Sequence, residues 1–257
     1  MTSLHPSRAA GPASHRTPPQ ARPVAAAALL LGGGGAAALL APDGGTAAGW
    51  SAAGYRRTVR AFADLPAAVP ALATELGLLV LGAVWLLCWW RARGRSRAAV
   101  AGVLLAGAGT VVAYGLSEVL KTAFDEQRPC RALGGVPAQV AAECPPPGDW
   151  SFPSNHATLA AALAVGLAVL HPRVAALVLP VGVATAAGRV AAGVHYPHDV
   201  LAGAVLGAVV VAALLVCARP AAARAVGALA GVPLFGPLLL SPSVEPGRPN
   251  AASDGRG

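Results

Sequence analysis

Between two long apolar runs the chain reads GRVAAGVHYPHD, which places Arg189, His195, His198 and Asp199 within Gly188 to Asp199. Charge is costly at the ends of membrane-grade helices, so ionisable residues held there mark a working site. Arg189 closes the first run. Pro197 lets a new helix begin with Asp199 in its first turn, where the helix dipole favours a carboxylate. A turn between them gathers a fixed cation, a nucleophile or base, and a carboxylate to orient it, a set suited to phosphate chemistry. The competing reading is an interfacial loop whose polar tips snorkel to water.

Two further patches carry complementary chemistry. In Lys121-Thr-Ala-Phe-Asp-Glu-Gln-Arg128-Pro129, a helix continuing through Arg128 puts Lys121 and Arg128 on one face, about two turns apart. Two cations there suit an anion with several oxygens. In Phe152-Pro153-Ser154-Asn155-His156, Ser and Asn are helix-capping residues and Pro fixes the start of the helix. A helix N-terminus offers unpaired N–H groups to an anion, and His156 projects from that first turn. Taken singly, each patch is also explained by cations and caps at a membrane edge.

The elements that position these residues are membrane helices. The 257 residues are 55% hydrophobic and only 12% charged, with mean hydropathy +0.59, against roughly a quarter charged in soluble domains. The expected fold is all-α, a polytopic membrane bundle of about six transmembrane helices. Residues 1–22 and 241–257 read as disordered tails around a membrane domain over 23–240. Residues 24–41 form an Ala/Leu stretch with four glycines, either a retained first helix or a signal-peptide core. Residues 42–70 are a loop with a short interfacial helix. Further helices are expected over about 71–90, 98–120, 153–170, 174–190 and 198–218, and residues 225–240 are membrane-associated rather than spanning. The formal net charge of +8 bears on orientation: Arg91, Arg93, Arg95 and Arg97, then Arg219 and Arg224, place those ends in the cytoplasm. The three polar patches then face the extracytoplasmic side. No basic run is interleaved with stacking aromatics, so no nucleic-acid surface is expected.

In order and on one side of a bundle, Lys-x6-Arg-Pro, Pro-Ser-x-His and Arg-x5-His-x3-Asp resemble the type 2 phosphatidic acid phosphatase (PAP2) superfamily. That family also contains class A bacterial acid phosphatases, glucose-6-phosphatase and vanadium haloperoxidases. The resemblance covers residues 121–199 by motif and about 71–218 by helix pattern, which it implies is the catalytic core. Asn155 stands where the family has Gly, and Gly188 where it has Ser, which removes a hydroxyl from the expected phosphate pocket. The resemblance implies a lipid phosphate substrate and a phosphohistidine at His195, with Asp199 orienting its ring and His156 as general acid and then base. It implies that Lys121, Arg128, Ser154, Asn155 and Arg189 hold the phosphate oxygens. With three protein cations on the phosphate, no metal or other cofactor is expected.

Asp125, Glu126, Glu143 and Asp149 read as solvated loop charges, and Glu75 as a carboxylate at a helix N-terminus. Glu118 pairs with Lys121 along the helix. His198 adjoins Asp199 in sequence, a poor geometry for pairing with it, and is kept out of catalysis. Cys88 and Cys217 read as small hydrophobes in apolar runs. Cys130 and Cys144 share one outward loop, where an oxidising compartment favours a disulfide closing about 15 residues, worth roughly 3 kcal/mol. The expected function is hydrolysis of a lipid phosphate or pyrophosphate, with undecaprenyl pyrophosphate first and phosphatidic acid or phosphatidylglycerol phosphate second. Transfer to a lipid or sugar acceptor and a non-catalytic membrane scaffold are the alternatives.

Overall fold

The computed structural model describes residues 21–42, 49–66, 68–133 and 144–241. The expected disordered tails lie outside the described residues, except that Ala21 and Arg22 are helical and Ser241 is described; Glu143 also lies outside them. All regular structure among the described residues is helical. Helix α1 spans Ala21–Leu39, α2 Gly49–Ala61, α3 Ala68–Arg93, α4 Arg97–Phe124 and α5 Pro129–Ala132. A 3-10 turn at Pro172–Val174 separates α6 (Asn155–Leu170) from α7 (Ala175–Ala191), and α8 (Pro197–Ala230) and α9 (Gly236–Leu239) follow.

Among the described residues, five segments are long and apolar enough to cross a membrane: α1, α3, α4 running on into α5, α7 with its 3-10 turn, and α8. Helix α6 has 16 residues, about 24 Å at 1.5 Å per residue, short of a hydrocarbon core of about 30 Å. It is instead the centre of the bundle, packed against α3, α4, α7 and α8. Its buried side chains are mostly small, with Ala157, Ala160, Ala162, Ala164 and Gly166 among them, and small residues let helices approach closely in lipid. The outer helices are apolar on the far side as well: Leu72, Leu76, Leu79 and Val80 of α3 are exposed, as suits a lipid-facing surface.

Two glycines set how α6 meets α8. A Cβ at Gly203 would collide with the carbonyl oxygen of Ser154, and one at Gly207 with that of Thr158. Because both positions lack a side chain, the start of α6 lies on the start of α8, and the Ser154 N–H donates to the Asp199 carbonyl at 3.0 Å. Helices α4 and α7 therefore end where α6 and α8 begin. The opposite end carries Arg91, Arg93, Arg97, Arg173, Arg219 and Arg224 on or between the helices.

Three expected boundaries change. Helix α4 stops at Phe124 because Asp125 adopts a left-handed conformation (φ 46°) and its N–H returns to the Lys121 carbonyl. Arg128 is therefore not two turns along the same helix but at the N-cap of α5. Helix α8 runs through Pro220 to Ala230 rather than ending near Ala218. Within 225–240, the first residues belong to α8, and the rest turn back through α9 so that the Ser241 N–H reaches the Arg93 carbonyl at 2.9 Å.

Candidate active site

His195 lies in the turn between α7 and α8 and is 2% exposed. The turn is closed by Gly193 at φ 75°, a left-handed conformation that glycine adopts without strain, and the Tyr55 hydroxyl of α2 donates to the Gly193 carbonyl at 3.1 Å. A guanidinium can only donate, so Nη1 of Arg128, 3.0 Å from Nε2 of His195, makes Nε2 the acceptor and puts the ring proton on Nδ1. That Nδ1 faces Oδ2 of Asp199 at 3.4 Å. Oδ2 is fixed independently: it accepts the Tyr196 N–H at 2.7 Å and the Ser151 hydroxyl. Burial, and then the charges of Arg128, Arg189 and Lys121, hold the His195 imidazolium well below its usual range. The result is a neutral imidazole with its bare nitrogen toward the cations.

The cations come from three elements. Lys121, in the last turn of α4, is 3.3 Å from both Glu118 and Asp149. Arg128 donates from Nη2 to the Asp149 carboxylate at 2.8 Å, from Nε to the Asp149 carbonyl at 2.9 Å, and from Nη1 to the Val194 carbonyl at 3.1 Å. Although α4 breaks between them, Lys121 and Arg128 thus meet at one carboxylate. Burial pushes the Asp149 carboxyl up, but Arg128 and Lys121 outweigh it and hold it below its usual range. Asp149 is not a solvated loop charge; it occupies the position an anion would take between the two cations. Arg189, on the last turn of α7, keeps a buried Nε without a hydrogen-bond partner among the described residues.

His156 projects from the first turn of α6, and its Nε2 is 2.8 Å from Oε1 of Glu75. Glu75 is therefore a partner of His156, not simply a charge near the start of α3. The Ser154 hydroxyl makes no capping bond and is buried without a partner among the described residues. The Asn155 side chain turns to α4, donating to Glu118 and accepting from Ser117. Gly188, read from the sequence as a missing hydroxyl, faces α3: a Cβ there would press on the methyl of Thr74 at 2.5 Å. Lys121, Arg128, Asn155, His156, Arg189 and His195 line one cavity of about 530 Å³. Ser154 and Asp199 stand behind it.

Cys130 and Cys144 are joined by a disulfide with Cα atoms 5.9 Å apart. The bridge ties α5 to the segment that carries Asp149 and Ser151, and Arg131 adds a bond to the Pro145 carbonyl at 2.6 Å. Behind Asp199 lies a second polar group. Glu126 is 5% exposed and His198 2%, and both Glu126 oxygens are 3.0–3.1 Å from Nε2 of His198. That nitrogen is also 3.2 Å from Oδ1 of Asp199. This corrects two expectations: Glu126 is not solvated, and His198 does approach Asp199 despite adjoining it in sequence. Glu126, His198 and Asp199 also form a cluster of possible metal ligands, with ligand atoms within 4.8 Å of one another. Sequence reasoning also missed Ser151, a single buried serine in a proline-rich loop that no motif marks.

The chain is similar to several known proteins. A decaprenylphosphoryl-5-phosphoribose phosphatase from Mycobacterium tuberculosis is 42% identical over 107 residues, covering 41% of this chain and 55% of that protein. The bacitracin transport permease protein BcrC of Bacillus licheniformis is 32% identical over 107 residues, 42% of this chain and 51% of that protein. The chain thus spans about half the length of the curated relatives it matches. The solved transmembrane PAP2-type phosphatidylglycerolphosphate phosphatase of Bacillus subtilis aligns with a TM-score of 0.46 and 20% identity, covering 76% of this chain and 94% of that one. The sequence profile of the PAP2 superfamily matches residues 102–222, the segment that runs from α4 through most of α8 and holds all three polar patches. That segment matches the PAP2 superfamily, the family its three motifs resemble.

Proposed function

We propose that this protein is a membrane phosphatase that hydrolyses a polyprenyl-linked phosphate ester or pyrophosphate through a phosphohistidine at His195, in a catalytic unit formed by α3 to α8. The observation that carries the reading is the convergence of a neutral buried imidazole, a second histidine and three cations on one cavity of about 530 Å³. Nε2 of His195 attacks phosphorus, and the bond from phosphorus to the leaving oxygen breaks. His156 gives that oxygen its proton. The charge arising on the His195 ring is met by Asp199 through Nδ1–H. Water then attacks phosphorus, His156 takes the water proton, and the P–N bond breaks to return the lone pair to Nε2. Lys121, Arg128 and Arg189 stabilise the equatorial oxygens throughout, which is most of what phosphoryl transfer needs. Asn155 contributes through its backbone at the N-terminus of α6, and Ser154 through its unpartnered hydroxyl. No step is routed through a metal.

Two supports bear on substrate and side. The name of one relative, a decaprenylphosphoryl-5-phosphoribose phosphatase, favours a polyprenyl carrier over phosphatidic acid or phosphatidylglycerol phosphate. The arginine-rich end opposite the site favours an extracytoplasmic active site. Purified protein in detergent, offered a panel of polyprenyl and glycerolipid phosphates, should release inorganic phosphate fastest from the polyprenyl substrates. Vanadate should inhibit and EDTA should not. His195→Ala should abolish release, and substantial turnover by that variant would overturn the mechanism.

A further inference from the structure

We propose that His198, held by Ser51 of α2 and by Glu126, is a positioning residue for Asp199 and, through it, for His195; this rests on the nucleophile reading above. The two oxygens of Asp199 are in unequal positions. Oδ2 faces Tyr196 N–H, the Ser151 hydroxyl and Nδ1 of His195. Oδ1 is buried and lacks an aligned hydrogen bond, and Nε2 of His198 stands 3.2 Å from it. Asp199 thus sits between two imidazoles, one at each oxygen.

The His198 ring is fixed on every side. It stacks on Tyr196 and Phe152 at centroid distances of 5.4 and 5.9 Å, and Trp50 of α2 meets it edge-on at 6.4 Å. Ser51 Oγ lies 2.7 Å from Nδ1 and accepts the His198 backbone N–H at 3.1 Å. Nε2 faces only carboxylate oxygens among its described partners, Glu126 at 3.0 and 3.1 Å and Asp199 at 3.2 Å. A nitrogen in that position carries a proton. His198 is therefore a donor with a set direction, and Glu126 and Ser51 set it.

The chemical consequence follows from burial. A carboxylate taken out of water stays ionised only when its oxygens find donors. The Nε2–H edge of His198 is directed at Glu126 and lies 3.2 Å from Oδ1 of Asp199. Without that edge, Oδ1 faces the Glu126 carboxylate alone, and Asp199 is pushed out of the position that orients the His195 N–H. The titratable groups facing His198 are Glu126 from the segment between α4 and α5, Asp199 from α8, and Tyr196 at its N-cap; α2 contributes Ser51 and Trp50. Because α2 lies outside the family-matched segment 102–222, this link makes an added helix part of the working site.

The experiment measures kcat and KM against pH for the purified protein with His198→Ala, His198→Gln and Ser51→Ala, and for His198→Ala combined with Asp199→Asn. His198→Ala should lower kcat roughly 10- to 100-fold, the range for partners that orient a working imidazole. KM should stay within about twofold, because the phosphate oxygens are held by other residues. His198→Gln, which keeps an N–H donor, should restore part of the loss, and Ser51→Ala should lower kcat in the same way by less. If His198→Ala does not fold, the Gln and Ser51 variants carry the same readouts. In the Asp199→Asn background, His198→Ala should cost no further activity beyond about twofold. An equal loss in both backgrounds, or an effect on KM alone, would overturn the proposal. So would a stoichiometric divalent ion in the purified protein whose removal abolishes activity, since the trio would then be metal ligands. Turnover by His195→Ala would sink the nucleophile reading itself. An inactive His195→Ala beside a His198→Ala that matches wild type at every pH would sink this proposal alone.

Discussion

The pH behaviour of His195 follows from what surrounds it. Its folded imidazolium is held well below 6.5, first by burial and then by Arg128, Arg189 and Lys121. The unfolded chain takes up this proton near pH 6.5 and the folded chain does not, so the stability His195 contributes is complete above that pH and is lost as pH falls below it. On the proposed mechanism, in which His195 is the nucleophile, the attacking ring stays unprotonated through neutrality. The acidic limb of kcat/KM should therefore lie below pH 6.5, and Arg189→Gln, which removes one of the opposing charges, should move it upward; a wild-type limb above 6.5 would contradict this account of the ring. Asp149 makes the converse case. A substrate phosphate must compete with its carboxylate for Lys121 and Arg128. Asp149→Asn should tighten vanadate inhibition by roughly two- to fivefold, the scale of a partly exposed ion pair, as read from inhibition constants; weaker inhibition would show that Asp149 chiefly holds the two cations in place.

Among the elements, the contact between α6 and α8 decides whether the site exists. Gly203 has the Ser154 carbonyl where a Cβ would go, and backbone cannot rotate aside. Gly203→Val should destabilise by roughly 1–3 kcal/mol through overpacking and abolish activity, because it separates the Asp199 end of α8 from the His156 end of α6. Gly34→Ala in α1, where nothing lies within 4 Å of the added Cβ, should instead stabilise slightly, by up to about 1 kcal/mol from helix propensity. Thermal unfolding of both variants in one detergent checks the contrast. The Cys130–Cys144 bridge acts on the neighbouring element. Replacing both with serine should lower the unfolding temperature, and mass spectrometry of non-reduced, alkylated protein should find neither cysteine labelled in the active enzyme.

At the scale of the whole molecule, charge is divided between two ends. Arg91, Arg93, Arg95, Arg97, Arg173, Arg219 and Arg224 mark one, in short loops and helix ends; at the other, the acidic residues Glu75, Glu118, Glu126, Asp149 and Asp199 are mixed with Lys121, Arg128, Arg131, Arg189 and the arginines of α2. Arginines in short loops favour the cytoplasmic side, so the proposed orientation puts the first end there and the site outside. In intact cells and a background lacking the free cysteines, Ala132→Cys should react with a membrane-impermeant thiol reagent and Ser96→Cys should not. Both positions are exposed, so access to the reagent depends on the side of the membrane. The reverse pattern would turn the site toward the cytoplasm.

Hydropathy and residue type are local properties, and what depends on them was legible in the sequence alone. The membrane class, the approximate spans of α3, α6 and α7, and the order of the patches at Lys121–Arg128, Ser154–His156 and Arg189–Asp199 need no tertiary information. Partnerships across the chain do need it. Glu75 meets His156 from 81 residues away, and Ser51 meets His198 from 147. Neither pair leaves a mark in spacing, because packing of α3 on α6 and of α2 on α8 creates both. The same holds for Glu126 and Asp149, whose polar loops read as solvated until Asp125 turned the chain back over the bundle. Gly188 shows the rule in reverse: its sequence context suggested a missing phosphate contact, and only the position of Thr74 on α3 showed that the side it faces is a helix contact. A sequence gives the charge and size of each group; which group a buried charge finds is settled only when helices distant in sequence close around it.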